Sequence, residues 1–561
     1  MARRNHRPAS PRALCPPGHG GPLAAPALHF DASRRLFLGH GSAMSLLAGA
    51  GAPLALNLLA AGSAAAQAAP DYRAIVCLFL FGGNDAFNTV LATEGHNGAG
   101  APTAGTSWAA YTTTRNQAPD PIALRAPSVP ADGAAAAGTP ARLGGVLPIT
   151  PLNPQGRTFA LHPLLPDLAA MFNGGVASRL AIVPNVGPLV MPTTKAQYNL
   201  AAHPKPARLF SHNDQQSTWQ ALAPEGATKG WGGRMGDVLA AMNTNTVFTA
   251  VSASGSAVWL SGNSVQQYQV GAGGAIRLGA NAGGQVYGST AVADALNRVV
   301  SGARSGHVFE GDLAAVSQRS IAAETTLRNA LRAASEADFG TPPAGGAAYN
   351  ANTDPKLQYP NPLTGALAFN AVAQQLQVVA RMVDAGLRGA TGVRRQVFFV
   401  SLGGFDTHDL QNRNHADLMA RVNHALKYFD DTLGRLTAFG AQGARPLVTT
   451  FTASDFGRTF TSNGDGTDHG WGAHHFVMGG AVRGGDLYGA FPVLATKNTA
   501  NNNFDGSPDQ LGNGSLLPAT SVDQLGATLA TWFGLSATQV GEVFPHLANF
   551  DAPRRNLGFM T

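Results

Sequence analysis

The chain has 561 residues, only 12% of them charged, and a formal net charge of +6. Six arginines and one aspartate fall within residues 1–68, so the remainder holds 32 basic and 31 acidic residues and offers no electrostatic basis for a nucleic-acid partner. Of two cysteines, Cys15 lies in that leading segment and Cys77 is left alone, which excludes an internal disulfide and leaves a packed core to hold the fold.

In chain order, SRRLFLG (33–39) precedes the apolar run SAMSLLAGAGAPLALNLLAA, and Ala66-Gln67-Ala68 supplies a small-x-small cleavage site. Charged, apolar and cleavable regions in this order are those of an export signal. The arginine pair with Phe37 and Leu38 resembles the twin-arginine type. The expectation is a signal over 1–68, passage through the twin-arginine export machinery and a periplasmic or secreted mature chain. No stable membrane span is expected after cleavage.

The mature chain opens on AIVCLFLF (74–81), a short apolar run of strand type. Residues 95–158, dominated by Gly, Ala, Pro and Thr, read as an irregular insertion. A helix is predicted over 164–172 and a strand over 180–186. RLFSHNDQQSTWQAL (208–222) reads as a loop entering a helix, and VFTAVSA (247–253) as a strand. Residues 254–310 read as a second insertion with short β-type pieces. Helices are predicted over 312–339, 368–387, 415–439 and 521–535, with a Pro/Gly/Asn loop over 340–365. Between them, QVFFVSL (396–402), PLVTTFTA (446–453) and FVMGGAV (476–482) read as strands. Cys77, inside the first strand, reads as a small buried hydrophobe. Apolar strands alternating with helices predict an α/β fold, a mainly parallel sheet covered by helices on both faces, as one large domain over 69–561.

Three strands end alike. LFLFGGND ends in Asp85, FFVSLGGFDTH in Asp406 and His408, and TTFTASDFGR in Asp455. The carboxyl edge of a parallel sheet is where ligands bind, and carboxylates gathered there repel unless a cation lies among them. Asp oxygens and His nitrogens suit zinc or manganese; calcium is a further candidate. GTDHGWGAHH adds His469 as a ligand candidate and Asp468 as a partner for its ring. His474 and His475, adjacent on a strand, point to opposite faces. Ser211, three residues before Asp214, reads either as a helix cap or as a nucleophile at a helix N-terminus. Arg208, Arg458 and His212 are candidates to hold an oxyanion.

The segments FLFGGNDAFNTV, HPLLPDLAAMF, RLFSHNDQQSTWQ, GWGGRMGD, SLGGFDTHDLQ and SDFGRTFTSNGDGTDHGWGAHHFVMGGAVRGGDLYG resemble the domain-of-unknown-function 1501 family over most of residues 70–545. That family is similar to the alkaline phosphatase and sulfatase superfamily. The resemblance implies divalent metal at the strand ends, with Asp85, Asp406, His408, Asp455 and His469 as ligands and Ser211 as the nucleophile. Where the superfamily keeps a histidine after the later aspartate, this chain has Phe456. The implied function is hydrolysis of phosphate or sulfate esters, on a small-molecule or polymer substrate. A non-catalytic envelope binding or assembly protein with a degenerate site is the alternative.

Overall fold

The computed structural model describes residues 71–95, 107–275, 281, 284–302 and 305–561. The expected export signal lies outside the described residues. The centre is an eight-stranded sheet. In chain order its strands are β1 (Arg73–Phe81), β2 (Leu180–Gly187), β3 (Ala250–Ser252), β4 (Tyr268–Gln269), β5 (Arg395–Gly403), β6 (Val448–Ser454), β7 (Ala473–Gly479) and β8 (Thr520–Ser521). Their spatial order is β8-β2-β7-β6-β1-β5-β3-β4. Every neighbouring pair is parallel except β7, which runs against both β6 and β2.

The helices are α1 (Pro166–Phe172), α2 (His212–Ala221), α3 (Trp231–Leu239), α4 (Thr290–Ser301), α5 (Val308–Ala330), α6 (Ala371–Leu387), α7 (Gln411–Arg435) and α8 (Val522–Phe533), beside shorter ones. Alternation along β1 divides the core in two. Val76, Leu78 and Leu80 pack with Leu376 and Val379 of α6 and Met419 and Leu426 of α7. Ile75, Cys77 and Phe79 pack with Trp231 of α3 and Leu525 and Leu529 of α8. The central strands are therefore apolar on both faces, as their uninterrupted hydrophobic runs require. Cys77 is a buried free thiol, its pKa raised by burial.

Two predicted stretches differ. The helix expected over 312–339 is α5, which stops at Ala330; Leu331 is extended, and Arg332 then binds Glu336 and Asp338, which turns the chain away. Within 254–310, α4 takes the place of further β-type pieces. Residues 95–158 supply the helix Ser107–Arg115, the strand Leu147–Ile149 and the start of Arg157–Leu161, which pairs on one side with Leu147–Ile149 and on the other with Val90–Gly95 in a small antiparallel sheet.

Register aligns the site. Phe81 of β1 lies opposite Gly403 of β5, and Leu80 opposite Ser454 of β6. Three adjacent parallel strands thus end at one level, and the loops starting at Gly82, Gly404 and Asp455 leave together.

Candidate metal centre

Gly82 turns the chain out of β1 at φ +115, and a Cβ there would lie 2.3 Å from the Asp406 backbone nitrogen. Only glycine allows both that conformation and that approach. The loop after β6 folds back on itself, with Gly457 N–H donating to Trp471 O (3.1 Å) and Gly470 N–H to Gly457 O (2.8 Å). This places His469 beside Arg458 as a two-residue antiparallel bridge. A Cβ on Gly466 would meet His408 O at 2.2 Å, so the same loop also rests on the loop after β5.

Four side chains converge there. Asp406 is the hub, with its side chain 43% exposed. Its Oδ1 lies 3.1 Å from His408 Nε2 and 3.3 Å from His469 Nε2, and its Oδ2 lies 3.3 Å from His212 Nε2. The two ring nitrogens of His408 and His469 are 3.0 Å apart. His212, Asp406 and His469 each offer a ligand atom, all within 4.8 Å of one another. His408 meets Asp406 and His469 and so flanks that triad.

The outer partner of each ring fixes which nitrogen carries the proton. His469 Nδ1 is 2.7 Å from the Phe210 carbonyl, which only accepts. His212 Nδ1 is 2.7 Å from Asp455 Oδ2, and His408 Nδ1 is 3.2 Å from Asp468 Oδ1. Each Nδ1 therefore donates to its outer partner, and each ring turns its Nε2 toward the Asp406 carboxylate. Arg458 meets one oxygen of that carboxylate, and a metal ion would satisfy the lone pairs that remain. Donors about 2.0–2.2 Å from a tetrahedral ion sit roughly 3.3–3.6 Å apart, and Asp406 lies 3.1–3.3 Å from the three rings. An imidazole backed by a carboxylate or a carbonyl is the usual support of a metal-binding histidine. The cluster is thus able to coordinate a metal ion.

The chain belongs to the DUF1501 family. A model of that family, described as a protein of unknown function, matches residues 72–544, which include every residue of the cluster. No curated protein matches the chain.

In this DUF1501 chain the residues expected from sequence part company. Asp406, His408 and His469 lie together, and His212, read from sequence as an oxyanion candidate, lies with them. Asp85 does not join. Its side chain is fully buried, and Arg115 grips both its oxygens, at 2.5 and 3.0 Å, while Gln411 Nε2 donates to Oδ2 at 2.5 Å. Asp455 is also fully buried and turns Oδ2 to His212 Nδ1 and to Gln216 Nε2, each at 2.7 Å, supporting the imidazole from behind. Arg458 has no exposed surface with which to meet a substrate. Its guanidinium donates to Asp406 Oδ1 (2.7 Å), Gly82 O and both Thr467 oxygens. Ser211 leads α2 without capping its backbone; its hydroxyl donates instead to Asp214 Oδ2 at 2.9 Å. Arg208 is the exposed cation here, its side chain 73% accessible and 3.8 Å from Asp214 Oδ1. Phe456 lies across His212 and His469, ring centroids 4.8 and 4.6 Å away.

Charge follows this layout. The hydrogen bond that His212 donates to Asp455, against some loss by burial, raises the His212 pKa above the ordinary histidine value. Burial, with His212 and Arg458 nearby, lowers that of His469. Burial alone would raise Asp406, but the hydrogen bond and charge of Arg458, with His212 and His408, hold it below the usual carboxylate range. Arg115, which locks Asp85, gave no sequence signal, because it lies in a stretch without hydrophobic periodicity. Among the described residues, no helix is long and apolar enough to cross a membrane.

Proposed function

We propose that this chain is an exported, metal-dependent hydrolase of phosphate or sulfate esters. The observation that carries the reading is the convergence of three outward-braced imidazoles on one half-exposed carboxylate at the carboxyl edge of a parallel sheet. His212, His408, His469 and Asp406 would hold one divalent ion. Three imidazoles with one carboxylate favour zinc, then manganese, over calcium, which takes oxygen ligands. A bound ion there supplies Lewis-acid polarisation of the ester oxygen.

The chain's own groups support the remaining steps. Ser211 is flanked in sequence by Phe210, whose carbonyl accepts from His469 Nδ1, and by His212. In attack, the Ser211 Oγ–H proton passes to Asp214, its present hydrogen-bond acceptor, as Oγ bonds to phosphorus or sulfur. The alcohol oxygen of the ester leaves with the bonding pair, and water later hydrolyses the seryl ester. Arg208 lies where it can meet the anionic head of the substrate. Asp455 keeps His212 in the tautomer that presents Nε2, and Arg458 keeps Asp406 ionised.

One observation favours the non-catalytic alternative. Arg458 already neutralises part of the Asp406 charge, and Phe456 fills space beside two of the rings. Turnover of aryl phosphate monoesters, diesters and aryl sulfates by the zinc- and manganese-loaded protein separates the two readings. Ester hydrolysis lost in Asp406→Ala and in Ser211→Ala supports the proposal. Loss in Asp406→Ala alone replaces Ser211 by water as the nucleophile, and metal binding without turnover of any ester leaves a binding protein.

A further inference from the structure

Helices α4 and α5 leave much of their apolar surface in solvent. The one residue that α4 buries is Ala293, and the first three turns of α5 bury only Ala314. Six of their large apolar side chains are exposed: Val292 and Val299 on α4, and Val308, Phe309, Leu313 and Val316 on α5. Phe309 is 77% and Leu313 66% exposed. Phe309, Leu313 and Val316 follow the i, i+4, i+7 spacing of a helix face that packs against another helix. Together the six side chains offer roughly 500 Å² of apolar surface, the size of a functional patch rather than of scattered exposure.

We propose that this face pairs with a second copy of the chain, α5 against α5 across a two-fold axis. Doubled, the patch reaches the ~1,000 Å² that a specific interface must clear. A two-fold contact must be self-complementary, and the α5 sequence is. The antiparallel register that sets Leu313 against the partner's Val316 also sets bulky Phe309 against the partner's Ser320 and Glu310 against the partner's Arg319. A lipid surface fits less well. Around the exposed turns, Asp294, Glu310 and Asp312 outnumber Arg298 and Arg319, so the face lacks the basic rim that anionic headgroups attract.

Sedimentation velocity of the purified protein over micromolar concentrations tests the pairing. A reversible dimer is expected, with a dissociation constant raised at least ~100-fold in Phe309→Glu/Leu313→Glu, as befits two central contacts. Both positions are exposed, so unchanged thermal unfolding should accompany the loss. The ion pair gives an independent arm: Glu310→Arg weakens the dimer, and adding Arg319→Glu restores it. A monomer at every concentration overturns the proposal, as does a dimer indifferent to both sets of substitutions. Monomeric protein that floats with anionic vesicles overturns it in favour of a membrane.

Discussion

Strands β1 and β5 lie side by side, run parallel and end in closely similar sequences, FGGND and LGGFD. Their terminal aspartates do opposite things. Asp85 is fully buried and locked by Arg115, Gln411 and the Phe87 backbone N–H. Asp406 is half-exposed and ringed by His212, His408 and His469. A strand-end carboxylate is therefore not a ligand by position. What decides its role is the company brought by segments distant in sequence: an arginine from the helix 107–115 at one strand end, and histidines from α2 and the β6–β7 loop at the other.

The largest expected effect breaks the β5 side. Asp406→Ala removes the hub of the cluster and should abolish stoichiometric zinc or manganese binding, measured by elemental analysis after dialysis. Its fold should survive, since the side chain is partly solvated. On the β1 side, Arg115→Met leaves Asp85 as an uncompensated buried charge and should cost about 3–5 kcal/mol in urea unfolding. Asp85→Leu/Arg115→Met, which removes both charges, should recover most of that loss. If Arg115→Met is as stable as the wild type, Asp85 is not held as described.

How much of this was legible follows the same division. The six strand runs and the long helix runs are readable because strands buried on both faces need uninterrupted apolar sequence and buried helices need periodic apolar sequence. Helix α4 was not, since its Val-rich run is set among glycines and serines. Asp406, His408 and His469 were readable as chemistry at a strand edge and in a glycine-rich loop. Arg115 was invisible because its segment carries no period, and its partner lies 30 residues away in sequence. For His212 the sequence offers only a candidate oxyanion holder, because only the fold shows Asp455 holding Nδ1 and turning Nε2 toward Asp406.

A smaller effect sharpens the role of Asp455. Asp455→Asn keeps the shape but releases the His212 tautomer, and should weaken metal affinity about 10–100-fold in a competition titration with a chelator. Smaller still is the pH dependence of the β1 side. His415 donates from Nε2 to Asn84 Oδ1 (3.1 Å) beside the Asp85 lock, and burial lowers its pKa to about 4. Because the folded pKa lies below the unfolded value, its contribution is complete above pH ~6.5 and lost as pH falls toward 4. Between pH 7.5 and 5.0 it should account for roughly 2 kcal/mol of lost stability. Comparing urea midpoints at the two pH values, His415→Gln should show a correspondingly smaller drop than the wild type; an equal drop would place the titrating group elsewhere.

The most direct test of the account is the metal content of two variants set side by side. The wild type should carry one divalent ion per chain, His469→Ala should carry none, and Asp85→Asn, though less stable, should keep its ion while folded. An ion lost in Asp85→Asn but retained in His469→Ala would contradict the division between β1 and β5.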